Sequence, residues 1–94
     1  MTELKFKDKF NRNVTLTAER IKHISFHIEV RNNINTIENV LKYPDIFSSD
    51  SEKNDVFYYQ KYLKLEDLYL IVVVKINDNE GFIITIFKSK KPKK

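Results

Sequence analysis

Two histidines and an arginine fall on one short stretch of this chain, Leu16-Thr17-Ala18-Glu19-Arg20-Ile21-Lys22-His23-Ile24-Ser25-Phe26-His27. Residues three and four apart share one face of a helix. At 100° per residue, Arg20, His23 and His27 fall within about 60° of one another. Histidine exchanges a proton near neutral pH, and arginine holds a phosphate in a two-pronged grip. That set suits metal-independent cleavage of a phosphodiester. One imidazole takes a proton from the attacking 2′-hydroxyl or gives one to the leaving oxygen, while the guanidinium steadies the developing charge. The same residues also suit a solvated helix edge. Two histidines at i and i+4 can hold a metal, but the HExxH pattern is absent, so no metal site is expected.

The elements that must position these groups are legible in outline. Thr17 is a good N-cap, its hydroxyl suited to an orphan N–H, and Leu16 before it can act as a staple. Ile21, Ile24 and Ile28 form an apolar stripe beside the histidine face, so a first helix is expected over 18–28. Lys5–Phe10 and Asn13–Leu16 read as two strands of a hairpin around Asn11-Arg12. Arg31-Asn32-Asn33 reads as a break. Asn35-Thr36-Ile37-Glu38 resembles a capping box opening a second helix, which Pro44 ends by pushing Tyr43 out of the helical region. Asp45–Ser48 reads as a short strand and Ser49–Asn54 as an exposed loop.

The second half reads as sheet. Val56–Leu63 is rich in aromatics, and Leu70–Val74 is apolar at every position, as a strand covered on both faces should be. Asn77–Gly81 reads as a turn, and Phe82–Phe87 returns beside it. Helices early and a meander late predict an α+β class, with two helices on one face of an antiparallel sheet.

Composition narrows the partners. The 94 residues form one small domain, with no repeat and no linker. Cysteine is absent, which excludes a disulfide framework, a thiolate metal site and a cysteine nucleophile, and fits a reducing cytoplasm. The N-terminus has no signal-peptide core, and the apolar run Leu70–Val74 is too short to span a bilayer, so no membrane partner is expected. A lone glycine, Gly81, excludes a Gly-rich phosphate loop and nucleotide cofactors bound by one. Five of the last seven residues are lysine, leaving 12 basic against 13 acidic residues elsewhere. Residues 1–88 therefore read as a nearly neutral body and 89–94 as a basic tail. Such a tail attracts RNA by counterion release. Its removal is expected to flatten the salt dependence of RNA binding without altering thermal stability, because it has almost no apolar side chains to bury.

Several stretches together resemble the small bacterial and phage domains of the barnase, EndoU and RelE-type nuclease group. These are Val14–Arg20 running into His23-Ile24, Tyr43-Pro44-Asp45-Ile46, Tyr58-Tyr59, Leu70–Lys75 and Gly81–Thr85. Members often carry His-Pro-Glu after the first helix, whereas the corresponding run here is His27-Ile28-Glu29. The resemblance implies a barnase/RelE-like fold and an endoribonuclease-like, toxin-type activity. It also implies a ribosome or an inhibitor (antitoxin) protein as further partners. On that reading His23, Arg20 and His27 are the catalytic candidates. Tyr59 and Lys61, which alternation places on one face of their strand, would stack on a base and neutralise a phosphate. Thr85 and Lys88 would contact phosphate from the last strand. The alternative is a module of the same fold that binds RNA, ribosome or protein without cutting, through its sheet face and lysine tail.

Overall fold

The computed structural model describes residues 3–24 and 29–93. The chain opens with a hairpin of β1 (Leu4–Lys7) and β2 (Asn13–Leu16). The first strand stops at Lys7, three residues short of the expected end. The Asp8 carboxylate there accepts the backbone N–H of Phe10 and of Arg12, folding the chain into a loop in which Asn11 has φ 63°. Thr17 then starts α1 (Ala18–Ile24), its hydroxyl accepting the Arg20 N–H at 3.2 Å as the cap requires. Residues 25–28, and with them His27 and the expected end of this helix, lie outside the described residues.

A 3-10 turn over Arg31–Asn33 leads into α2 (Ile34–Lys42). The expected capping box is not formed. Asn33 is the cap residue, without a side-chain cap bond, and Asn35 already lies inside the first turn. Tyr43, before Pro44, sits at φ −133°, ψ 59°, out of the helical region as predicted. Four strands follow: β3 (Ile46–Ser49), β4 (Val56–Leu63), β5 (Leu68–Asn77) and β6 (Glu80–Ser89). The β5–β6 turn is only Asp78-Asn79, with φ 51° and 66°, the type I′ geometry that matches strand twist.

The described strands form one six-stranded sheet in the order β1-β2-β6-β5-β4-β3. The class is α+β, but the sheet is mixed rather than antiparallel: β2 and β6 run parallel, with Val14 opposite Gly81 and Thr15 opposite Phe82. The hairpin and the meander are separate units, and the meander returns with its last strand against β2. Gly81 is what lets these strands pack against the core. A Cβ there would lie 2.9 Å from Val74 Cγ1 and 3.1 Å from Val14 Cγ2, both on buried residues.

Ile21 and Ile24 of α1 and Ile37, Val40 and Leu41 of α2 share one core with Tyr59, Val72 and Ile86 of the sheet. Both helices therefore cover the same face. On the opposite face Val56, Tyr58, Ile71 and Val73 form a smaller cluster. The strand β5 is thus buried on both sides, as its unbroken apolar run predicts.

Candidate functional site

The structure does not gather the expected site residues into one cleft. Arg20 and His23 are both exposed on α1. Arg20 Nη1 lies 3.4 Å from the Ile84 carbonyl oxygen, on the edge of β6 beyond its pairing with β2. Thr85 is a near neighbour in sequence but faces away from the helices. It pairs with Val73, a residue of the opposite cluster, and directly opposed residues share a face. A bulge between Val73 and Val74 leaves Ile84 as the extra residue of β6 at this point. Lys61 donates to the Tyr43 carbonyl at 2.9 Å, far from α1 in the sheet order. Lys88 holds Glu66 at 2.6 Å.

Tyr59 requires a correction. Alternation does place it with Lys61, but on the core face, where it is fully buried and cannot stack on a base. Its hydroxyl donates to Asp8 Oδ2 at 2.6 Å and accepts from Arg12 Nη2 at 3.1 Å. Arg12 Nε completes the set with Asp8 Oδ2 at 2.9 Å. Burial by itself would raise the Asp8 carboxyl, but hydrogen bonds from Tyr59 and Arg12 outweigh it and hold the group below its ordinary value. Burial, with the Asp8 carboxylate alongside, pushes the Tyr59 phenol above its own. Two oxygens accepting four donors satisfy every lone pair of a charge that burial would otherwise penalise. The network ties the β1–β2 loop to β4 and is structural.

A different surface emerges on the sheet face away from the helices. The registers place Lys5 opposite Thr15, Thr15 opposite Phe82, and Phe82 opposite Lys75. These four side chains form a row across β1, β2, β6 and β5. At about 4.8 Å per strand the row spans roughly 14 Å. Phe82 stands in it 43% exposed. Lys75 lies 3.7 Å from Asp55, but both are about half exposed, so the pair holds it weakly. The sequence shows Phe82 only as part of an apolar run. Its exposure becomes legible once Lys75, Thr15 and Lys5 are known to flank it.

The basic tail joins this face. Beyond β6, Ser89 Oγ donates to the Lys91 carbonyl at 2.8 Å and turns the chain. The buried Gln60 amide then holds the Lys93 backbone at both ends. Its Oε1 accepts the Lys93 N–H at 2.7 Å, and its Nε2 donates to the Lys93 carbonyl at 2.8 Å. Lys93 Nζ lies 5.5 Å from the centre of the Tyr58 ring. The tail is therefore a strap, and its removal leaves a buried amide without protein partners. Deleting residues 90–94, or replacing Gln60→Ala, is expected to cost about 1 kcal/mol, a fall of ~4–8 °C in Tm for a domain of this size. Thermal unfolding followed by circular dichroism measures it, and an unmoved midpoint in both variants would restore the expectation of a solvated tail.

Among the described residues no group of three His, Asp or Glu side chains is placed to hold a metal ion, and no helix is long and apolar enough to cross a membrane. No family model, curated protein or solved structure matches this chain.

Proposed function

We propose that this protein binds single-stranded RNA across the sheet face opposite its helices. The row Lys5–Thr15–Phe82–Lys75 carries the reading. An exposed phenyl ring offers a base its stacking face whatever the sequence, and ammonium groups on either side lie within reach of the flanking phosphates. The strap brings Lys93 onto the same face, with Lys90 and Lys91 exposed beside it in the chain. Long-range attraction then comes from lysine, and short-range order from stacking.

Replacing Phe82→Ala is expected to weaken binding of a short oligouridine about tenfold, within the usual worth of one stacked base. Deleting 90–94 should instead lower the salt slope of binding, by less than one unit per lysine lost. Fluorescence anisotropy at several salt concentrations separates the two effects. A Phe82→Ala variant that binds as wild type would exclude this face.

A second reading, metal-independent cleavage of the bound strand, is favoured by one observation. Arg20 touches β6 at Ile84, two residues from Phe82, and His23 lies one turn further along the same helix. Cleavage on this reading requires a strand stacked on Phe82 to cross the β6 edge toward that guanidinium. A ribonuclease assay with EDTA present, wild type against His23→Ala, tests it.

A further inference from the structure

We propose that the concavity between the β1–β2 loop and the end of α2 binds a 5′-phosphorylated nucleotide. Tyr43 would stack on its base, and Lys7, Lys9 and Lys42 would receive its phosphate. The concavity has a volume of about 330 Å³, the lower end of the range for small-ligand pockets, and Asp8 and Asn11 complete its lining.

Its charge is not cancelled from within. Asp8 is the carboxylate in the wall, but Oδ1 accepts from Phe10 N and Arg12 N, and Oδ2 from Arg12 Nε and Tyr59. With Arg12 balancing its charge, it leaves the three lysines free to act on a ligand. Lys42 lies 3.9 Å from Glu38, and both are more than two-fifths exposed, so that pair is weak. Among the described residues no carboxylate lies within ion-pair distance of Lys7 or Lys9. Lys9 Nζ rests 5.3 Å from the Phe10 ring centre, an attraction that orients the ammonium without neutralising it.

The helix end that closes the pocket would itself repel an anion through its carbonyls, but donors already occupy two of those nearest the pocket. Lys9 N–H binds the Leu41 carbonyl at 2.9 Å, and Lys61 Nζ binds the Tyr43 carbonyl at 2.9 Å. The second bond also anchors the Tyr43 backbone while its side chain stays in solvent, the residue being 67% exposed. A large aromatic fixed at its root, exposed at its ring and set among three lysines fits a base joined to a phosphate better than either alone. The β1–β2 loop wall is held by the Asp8 network and tied to α2 through the Lys9–Leu41 bond, which limits the ordering lost on binding.

The occupant has two sources, a free mononucleotide or the 5′ end of an RNA strand. The second rests on the RNA-binding reading, because Lys7, which lines the pocket, follows Lys5 by two residues on the same side of β1. Calorimetric titration with uridine 5′-monophosphate, uridine and inorganic phosphate tests the pocket. Anisotropy with oligouridine bearing a 5′-phosphate or a 5′-hydroxyl tests the source.

The expected result is a preference of about tenfold for the phosphorylated member of at least one pair. That preference should vanish in the triple variant Lys7→Ala, Lys9→Ala, Lys42→Ala, and binding should weaken in Tyr43→Ala. A preference confined to the oligomer assigns the strand end, and one shown by the monophosphate assigns the free nucleotide. No preference in either pair, or one that survives the triple variant, overturns the proposal. Binding of the 5′-hydroxyl oligomer and its dependence on Phe82 report on the sheet face separately, so either idea fails without the other.

Discussion

Asp8→Ala is expected to lower the free energy of unfolding by about 3–5 kcal/mol, the scale for breaking a buried charge pair by removing one partner. The carboxylate is buried and receives four hydrogen bonds, two of them from side chains that share Oδ2. Without it, Arg12 keeps a half-buried charge and Tyr59 a fully buried hydroxyl, and the loop loses the acceptor that folds it. Against the 5–15 kcal/mol typical of a domain, this is a large share. Tyr59→Phe should cost less, about 1–2 kcal/mol, since it removes one hydroxyl and leaves the ion pair.

The pH dependence has a definite sign. The folded Asp8 carboxyl sits below its ordinary value of 3.8, so its stabilisation is complete above about pH 4. It is lost as the pH falls through the lower folded value. The Tyr59 phenol is raised, so its share is complete below pH 10, its ordinary value, and is lost as the pH rises beyond it. Urea unfolding at pH 7, across the acid limb and above pH 10, for wild type, Asp8→Ala and Tyr59→Phe, measures both. If the Asp8→Ala variant unfolds within 1 kcal/mol of wild type, or if its acid limb keeps the wild-type shape, the network does not hold the fold.

The second large effect concerns chemistry. If the Arg20–His23 edge cleaves RNA, His23→Ala should lower the rate by roughly 10²–10⁴-fold, the scale of a lost general acid or base. Arg20→Ala should cost ~10²–10³-fold through lost charge stabilisation. Both side chains are exposed and off the buried Ile21/Ile24 stripe, so neither variant should unfold the domain. Products should carry a 2′,3′-cyclic phosphate, and EDTA should leave the rate unchanged. His27→Ala belongs in the same assay, because two imidazoles divide the acid and base roles more readily than one. Absence of cleavage by purified wild type, with Phe82-dependent binding intact, would leave a binding domain without chemistry.

The elements that could be read directly are those whose causes lie within a few residues. Thr17 caps α1 because its hydroxyl reaches an N–H three positions on. Tyr43 leaves the helix because Pro44 follows it. Asp78-Asn79 turns the chain because both residues tolerate positive φ. The strand Val56–Leu63 and the two-sided burial of β5 follow from aromatic and apolar runs that need no distant information.

The exceptions depend on partners far along the chain. Periodicity distinguishes the two faces of β4 but does not say which receives the helices, so it could not show that Tyr59 joins the core under the helices and Tyr58 the smaller cluster opposite. The parallel β2–β6 contact joins residues more than 60 positions apart and leaves no mark on either strand except a glycine where a Cβ would collide. Asp8, Arg12 and Tyr59 look like two loop charges and a strand aromatic until the fold brings them within hydrogen-bond reach. Gln60 likewise looks like an ordinary strand residue until Lys93 returns to it. Local chemistry determined where the chain turns, caps and extends. Tertiary packing decided which faces are buried, which charges are spent on one another and which remain for a ligand, because those depend on the contacts that close the molecule.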